Sequence, residues 1–294
     1  MEEYLKKTVE SLAISGFRNA KSNTWESAML LMEELIKETG FIPEVFEWSD
    51  ETGTKYRNFS VFLNGKSEKR IVLGSHYDSY DNTPGADDNA SAVAVSLALL
   101  KELKSCEVLN QSLEFVFYAC EEPPFFGTEG MGSFIHAKSV NKKDINFMIC
   151  LEMVGYFSDE KNSQDFPFRF FNYIYGNKGN FLLFVSNIKS SRKAIKMVNF
   201  FKGSRSNFYK KLIFPARFFG LDWSDHRSYW NLGIPAVMIT NTAGFRNKKY
   251  HTLEDTVETL DYLRMSYLVQ DLKKYVLLEN GSGLRMSELN NLEK

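Results

Sequence analysis

Residues 71–76 read IVLGSH, residues 114–122 read EFVFYACEE, and residues 147–152 read FMICLE. Each is a short run of β-branched and aromatic residues with little polar interruption, the pattern of a buried strand. Each stops at a residue able to hold a metal: His76, the pair Glu121–Glu122, and Glu152. A fourth run, IPAVMIT (234–240), leads into a loop carrying His251. Between the first two runs lies PGADDNASAVAVSLALL (84–100), a turn with a double Asp that feeds a helix. Strands alternating with helices build a mostly parallel sheet with helices on both faces. In such a sheet, ligands collect outside the carboxyl ends of the strands. The expectation is an α/β fold, three layers α/β/α about a mostly parallel central sheet. Two histidines and several carboxylates then line one edge.

Working outward, residues 22–39 read as an amphipathic helix ended by Gly40, and FIPEVFEW and NFSVFLNG as strands. A helix is expected from Asp88 to about Lys104, and another within GTEGMGSFIHAKSV (127–140). A Phe-, Lys- and Arg-rich stretch near 158–221 interrupts the alternation. It contains one more strand, FLLFVS, and a basic helix, SRKAIKMVNFFK. A short helix near Asp225–Asn231 and a long one near Leu260–Leu278 complete the chain. Residues 1–280 read as a single domain that includes this stretch, and 281–294 as a polar C-terminal tail.

With 44% hydrophobic and 25% charged residues, the composition is that of an ordinary globular protein. The net charge of −1 conceals an asymmetry. Phe166 to Leu221 holds eleven of the 36 Lys and Arg and no acid, leaving 25 basic residues against 37 acidic ones elsewhere. The same stretch holds fifteen aromatic residues. Its plain reading is a solvated basic flap around a local aromatic core. Its functional reading is an aromatic wall for an apolar side chain, with cations that steer anionic substrates. Nucleic acid is not expected as a partner, because no recognised module or stacking platform is present. The cysteines Cys106, Cys120 and Cys150 form no metal or redox spacing and are expected as free thiols. An odd count without a framework favours a reducing compartment. No stretch is long enough to span a bilayer, and MEEYLKKTVESLAISGF has no apolar signal core. The expected location is cytoplasmic.

The segment HYDSYDNTPGADDNAS (76–91) carries the densest chemistry. Asp78 is spaced to accept a hydrogen bond from the second ring nitrogen of His76. Asp87 and Asp88 offer carboxylates, which can bridge two cations where one imidazole nitrogen cannot. Alone, the segment is equally a strand-end His and an Asp helix cap. Adjacent carboxylates at Glu121 and Glu122 repel unless a cation or a shared proton compensates. One could ligate metal while the other acts as general base. Glu152 is costly to bury unpaired. Tyr250, before His251, could donate to an oxyanion. His136 reads as solvent-facing or packed, and His226 as ambiguous.

At six places the chain resembles the M28 family of co-catalytic zinc peptidases, which are related to glutaminyl cyclase. They are GSHYDS, PGADDNAS, the EE pair, LEMVGYFSDE, WSDHRSYWNLGIPAVMITNT and FRNKKYHTLEDT, in family order. The resemblance implies a zinc-peptidase fold and two Zn2+ ions about 3.5–4 Å apart. It implies one zinc on His76, Asp88 and His251, and a second on Asp88, Glu122 and Glu152, with Asp88 bridging. Glu121 would be the general base, Asp78 the orienter of His76, Tyr250 an oxyanion donor, and Asp225 a supporting residue. A cis peptide between Asp88 and Asn89 is implied as well. One departure is Glu152, where many members have the shorter Asp. The expected function is zinc-dependent removal of N-terminal residues from peptide substrates. The alternatives are a glutaminyl-peptide cyclotransferase-like enzyme and an inactive receptor-like or scaffold relative.

Overall fold

The computed structural model describes residues 1–14, 16–106 and 109–279. The first helices are α1 (Glu2–Leu12) and α2 (Trp25–Glu38). Strands β1 (Glu44–Ser49), β2 (Lys55–Leu63) and β3 (Gly65–His76) follow, then helix α3 (Ala92–Leu103). After them come β4 (Leu109–Tyr118), α4 (Gly132–Ser139), β5 (Ile145–Glu152), α5 (Phe170–Tyr175) and β6 (Leu182–Asn187). The chain continues through α6 (Ser191–Ser204), β7 (Tyr209–Phe214), α7 (His226–Asn231), β8 (Ala236–Thr240) and α8 (Tyr262–Glu279).

All eight strands form one sheet in the order β1-β2-β4-β3-β5-β8-β6-β7. Its centre, β4-β3-β5-β8, is parallel. β2 runs against β4 and β6 against β8, so antiparallel pairs flank the parallel centre. Successive side chains on a strand point to opposite faces. Ile71 and Leu73 therefore enter one core, shared with α1, α3, α6 and α8, while Val72 enters the other, beside Ala137 of α4 and Tyr229 of α7. That is the expected three-layer arrangement.

Helix α3 is apolar on all sides, and Ala92 to Leu100 are all buried. A helix apolar all round belongs inside a protein, and here other helices cover the side turned away from the sheet. Helix α1 was not foreseen from the sequence. Its Leu5, Val9 and Leu12 lie one above another and are buried. Each such side chain contributes about 1.5–3 kcal/mol on burial.

The basic stretch does not leave the sheet, as an interruption would suggest. β6 and β7 extend it beyond β8, and β7, unforeseen because YKKLIF carries two lysines, is its edge strand. Lysines on an edge oppose pairing with other chains. Arg205 and the Tyr209 hydroxyl both reach the buried Asp271 carboxylate of α8 at 2.6 Å, tying this region to the body. The short α5, also unforeseen, brings Phe171 against Phe166, Phe214 and Phe218. The three cysteines are unpaired. No helix among the described residues is long and apolar enough to cross a membrane. The stretch read as a tail, 281–294, lies outside the described residues.

Candidate metal centre

Parallel register brings the chemistry together. His76, the last residue of β3, pairs with Tyr118 of β4, so Glu121 and Glu122 follow just past the same level. Gly74 pairs with Cys150, which puts Glu152 beside His76 on the other side. Glu152 in turn pairs with Thr240 at the end of β8, where the chain turns toward His251. All five expected ligands meet at the carboxyl edge of the parallel strands.

The geometry divides them into two triads that share Asp88. His76 Nε2 is 3.4 Å from Asp88 Oδ1 and 3.3 Å from Glu152 Oε2. His251 Nε2 is 3.1 Å from Asp88 Oδ2 and 3.3 Å from Glu122 Oε1. Within each triad the donor atoms lie within 4.8 Å of one another. This corrects the partition implied by the resemblance, which put His251 with His76 and Glu152 with Glu122. The two oxygens of Asp88 make the division: Oδ1 faces His76, which Glu152 also approaches, and Oδ2 faces His251, which Glu122 also approaches.

The donor set fits a pair of cations. Each triad offers one imidazole nitrogen and carboxylate oxygens, a set suited to zinc. Glu122 Oε1 and His251 Nε2 are buried with no hydrogen-bond partner. Burial, then the charge of Asp88, pushes Glu122 up to about 8. Burial likewise raises Glu121 and Glu152, with neighbouring carboxylates adding to the rise. Carboxylates so close together are short of positive charge, and divalent ions supply it.

Neighbouring groups decide which carboxylate is left for a metal. Asp87 Oδ1 accepts from the amides of Gly155 and Tyr156 at 2.9 and 3.1 Å, and Oδ2 from the side chains of Asn241 and Asn247 at 2.8 and 2.9 Å. Asp87 is saturated, which leaves Asp88 to face both histidines. Asp255 accepts from the amides of Asp87 and Asp88. The Asp88–Asn89 peptide is cis, as the resemblance implied. Asn89 donates to the Leu151 carbonyl at 3.1 Å and accepts from the Met153 amide at 2.9 Å, gripping the chain on either side of Glu152. Asn89, Asn241, Asn247 and Asp255 were not singled out from the sequence. Their role depends on partners 60 to 170 positions away, as with Asn89 and Met153, 64 apart.

Asp78 has a broader task than orienting His76. Its carboxylate accepts from the Glu121 and Glu122 amides at 3.1 and 2.9 Å, so it fixes the acidic pair. His76 Nδ1 is 3.2 Å from the Asp78 carbonyl and 3.4 Å from its carboxylate. Glu121 belongs to neither triad, yet its Oε2 is 3.9 Å from His76 Nε2. The Ser224 hydroxyl donates to Glu152 Oε2 at 2.6 Å. Asp225 is fully buried and close enough to His76 and Glu152 to feel both charges.

His251 lies between two parallel rings, Tyr80 at 3.9 Å and Tyr250 at 3.7 Å. Two rings cannot share one face at such separations, so one covers each side. Burial, reinforced by Asp88 and Glu122, raises the pKa of Tyr250 and keeps its hydroxyl a proton donor. The other histidines are engaged elsewhere. His136 contacts the Tyr229 hydroxyl and Glu114, and His226 the Leu221 carbonyl.

Beside Glu152 and Tyr250 opens a cavity of about 360 Å3. Leu183 and Met238 of the sheet form one wall, and Phe166, Phe171, Phe218 and Phe219 of the aromatic stretch the other. Among the described residues, no Lys, Arg or His lines it.

The chain is similar to known proteins. The model of peptidase family M28 matches residues 58–270. The chain is 34% identical to the uncharacterized protein YfbL of Escherichia coli, over 91% of this chain and 85% of that protein. It is 27% identical to leucine aminopeptidase 1 of Ajellomyces dermatitidis, over 84% of this chain but only 63% of that longer protein. A Zn-dependent exopeptidase from Parabacteroides distasonis has the same fold, with a TM-score of 0.67 at 18% identity over 94% of this chain and 98% of its own.

Proposed function

This chain belongs to peptidase family M28, and from that membership we propose that it is a two-zinc aminopeptidase acting on peptides with a large apolar N-terminal residue. The observation that carries this reading is the Asp88 carboxylate, which turns one oxygen to His76 and the other to His251. A carboxylate split between two histidines, each with its own further carboxylate, suits two ions and not one. The inactive-scaffold reading is disfavoured by the completeness of both triads. The single-zinc cyclase reading is disfavoured by the triad built on His76.

His76, Asp88 and Glu152 would hold one zinc, and Asp88, Glu122 and His251 the other. Zinc in such a site supplies Lewis acidity and lowers the pKa of water. The chain's own groups do the rest. Glu121, beside the ligands and free of both triads, takes a proton from the attacking water. It returns that proton to the peptide nitrogen as the C–N bond breaks, so it leaves each turnover as it began. Tyr250 donates a hydrogen bond from its hydroxyl, keeping the proton, to the oxygen that becomes negative when the carbonyl is attacked. Asp78 keeps Glu121 in place through its amide.

Polarity follows from charge. Among the described residues the cavity has no cationic side chain to receive a C-terminal carboxylate, whereas Glu152 in its lining attracts an N-terminal ammonium. Its aromatic and aliphatic walls accept the first side chain of the substrate. The test is a zinc count coupled to Phe- and Leu-anilides and their N-acetylated forms. The reading expects two zinc ions per chain and cleavage only when the amine is free. Equal cleavage of the acetylated forms would sink the polarity. One zinc, with cyclisation of N-terminal glutamine, would favour the cyclase.

A further inference from the structure

One side chain from outside the matched residues 58–270 reaches the centre: Arg18, in the segment between α1 and α2. It has no exposed surface. Its Nε donates to the Leu12 carbonyl at 2.9 Å, Nη1 to the Tyr77 carbonyl at 2.9 Å, and Nη2 to the Pro84 and Gly85 carbonyls at 3.0 and 2.6 Å. Its own carbonyl accepts from the Ser79 amide at 3.1 Å. Tyr77 directly follows His76, and Gly85 stands just before the Asp87–Asp88 pair. One guanidinium thus grips both ends of the loop that joins two metal ligands.

The residue type matters. A guanidinium is planar with five donors in a fixed fork, and it reaches carbonyls in several directions at once. A lysine ammonium is a point charge with no such fork. The loop is also tight. Gly85 has φ +59°, and a Cβ there would run into the Asp88 carbonyl oxygen and Arg18 Nη2. Burial lowers the Arg18 pKa to about 10, against the upward pull of Asp88, Asp78, Asp255 and Glu122, so it is a cation at neutral pH.

We propose that Arg18 is a positioning residue of the metal centre: by clamping loop 77–85 it holds His76 and Asp88 at the separation their shared ion requires. The proposal rests on the zinc reading above. Arg18 has no exposed surface to offer a substrate, and it acts through the two ligands.

The experiment compares wild type with Arg18→Lys, Arg18→Gln and the control Leu5→Ala. Leu5 lies in the same N-terminal region and is buried in the core, and its apolar side chain can make no hydrogen bond to loop 77–85. Zinc affinity is measured by competition with a chelator, ligand geometry by the absorption of the cobalt(II)-substituted protein, and stability by melting of the zinc-free form. Loss of an outer group that orients ligands lowers metal affinity about 10–100-fold, and both Arg18 variants should fall in that range with an altered cobalt spectrum. Arg18→Lys keeps the charge, so an equal loss in Lys and Gln identifies the fork as the cause. Leu5→Ala should melt earlier yet keep its zinc affinity and its spectrum. A folded Arg18→Lys with wild-type affinity and spectrum would overturn the proposal. So would Leu5→Ala losing zinc in step with stability, or both Arg18 variants failing to fold even with zinc. Failure of the wild type to bind zinc would instead strike the zinc centre itself.

Discussion

Glu121 and Glu122 are neighbours in the chain, and one Asp78 carboxylate holds both their amides. Their carboxylates go different ways, Glu122 to His251 and Glu121 toward His76 Nε2. Two substitutions separate them. Glu121→Gln keeps the shape and both triads but cannot accept a proton. Zinc content should stay at the wild-type value while kcat falls by about 10²–10⁴-fold or more, the usual worth of acid–base catalysis. Glu122→Gln replaces a charged ligand with a neutral one and should lower zinc in the His251 triad. Metal analysis and kcat measured on the same preparations check both, and the opposite pattern would exchange the two roles. His76, Glu122 and Glu152 were legible as candidate ligands because each stops or closely follows an apolar run, and Asp88 and His251 through the family resemblance. Their division into two triads was not. It depends on which oxygen of Asp88 faces which histidine, and no spacing encodes that.

At the scale of elements, the aromatic stretch builds the cavity that the proposed reading gives to the first side chain of the substrate. Strands β6 and β7 lengthen the floor beyond β8, and the segments around Phe171 and Phe218 roof it, leaving the cavity between. Leu212 of β7 lines this cavity and is only partly buried, so a larger residue can enter without displacing a packed core. Leu212→Trp should fill it. kcat/KM for a Phe-anilide should fall at least tenfold, a change of about 1.4 kcal/mol, while an Ala-anilide is hydrolysed as before. Equal loss on both substrates would place the first side chain elsewhere. The aromatic wall was legible from composition. The two strands under it were only half so. FLLFVS announced β6 by its apolar run, but β7 is an edge strand whose lysines disguise it, since an edge needs only one apolar face.

Across the whole molecule, buried acids of the centre are balanced in two ways. Arg18 is built in, and the remaining deficit falls to bound ions. Zinc that binds only the folded chain stabilises it by about 2.7 kcal/mol at a hundredfold excess over Kd. For a chain of this size that corresponds to a melting temperature roughly 4–5 °C higher. Melting with zinc and with a chelator should differ by that order, and coincident curves would mean the carboxylates are not waiting for a metal. The cysteines offer an independent check of the packing. Thiol titration of the denatured, unreduced protein should find all three free, because Cys120 and Cys150 are buried apart.

The sequence by itself pointed to the fold class, the strand edge at which the candidate ligands gather and the candidate ligands themselves, Asp88 among them only through the family resemblance. Those follow from local patterns: apolar runs that must be strands, and charged residues at their ends that burial makes too costly without a cation. Tertiary structure alone decided how the ligands pair, why Asp88 and not Asp87 is available, and that Arg18 closes the loop between His76 and Asp88. Each of these depends on groups far apart in the chain. Asp87 is occupied by Asn241 and Asn247, more than 150 positions away, and Arg18 meets Tyr77 across 59 positions. Hydrogen bonds act over about 3 Å of space whatever the distance along the chain, so only the folded sheet and its loops bring these partners together.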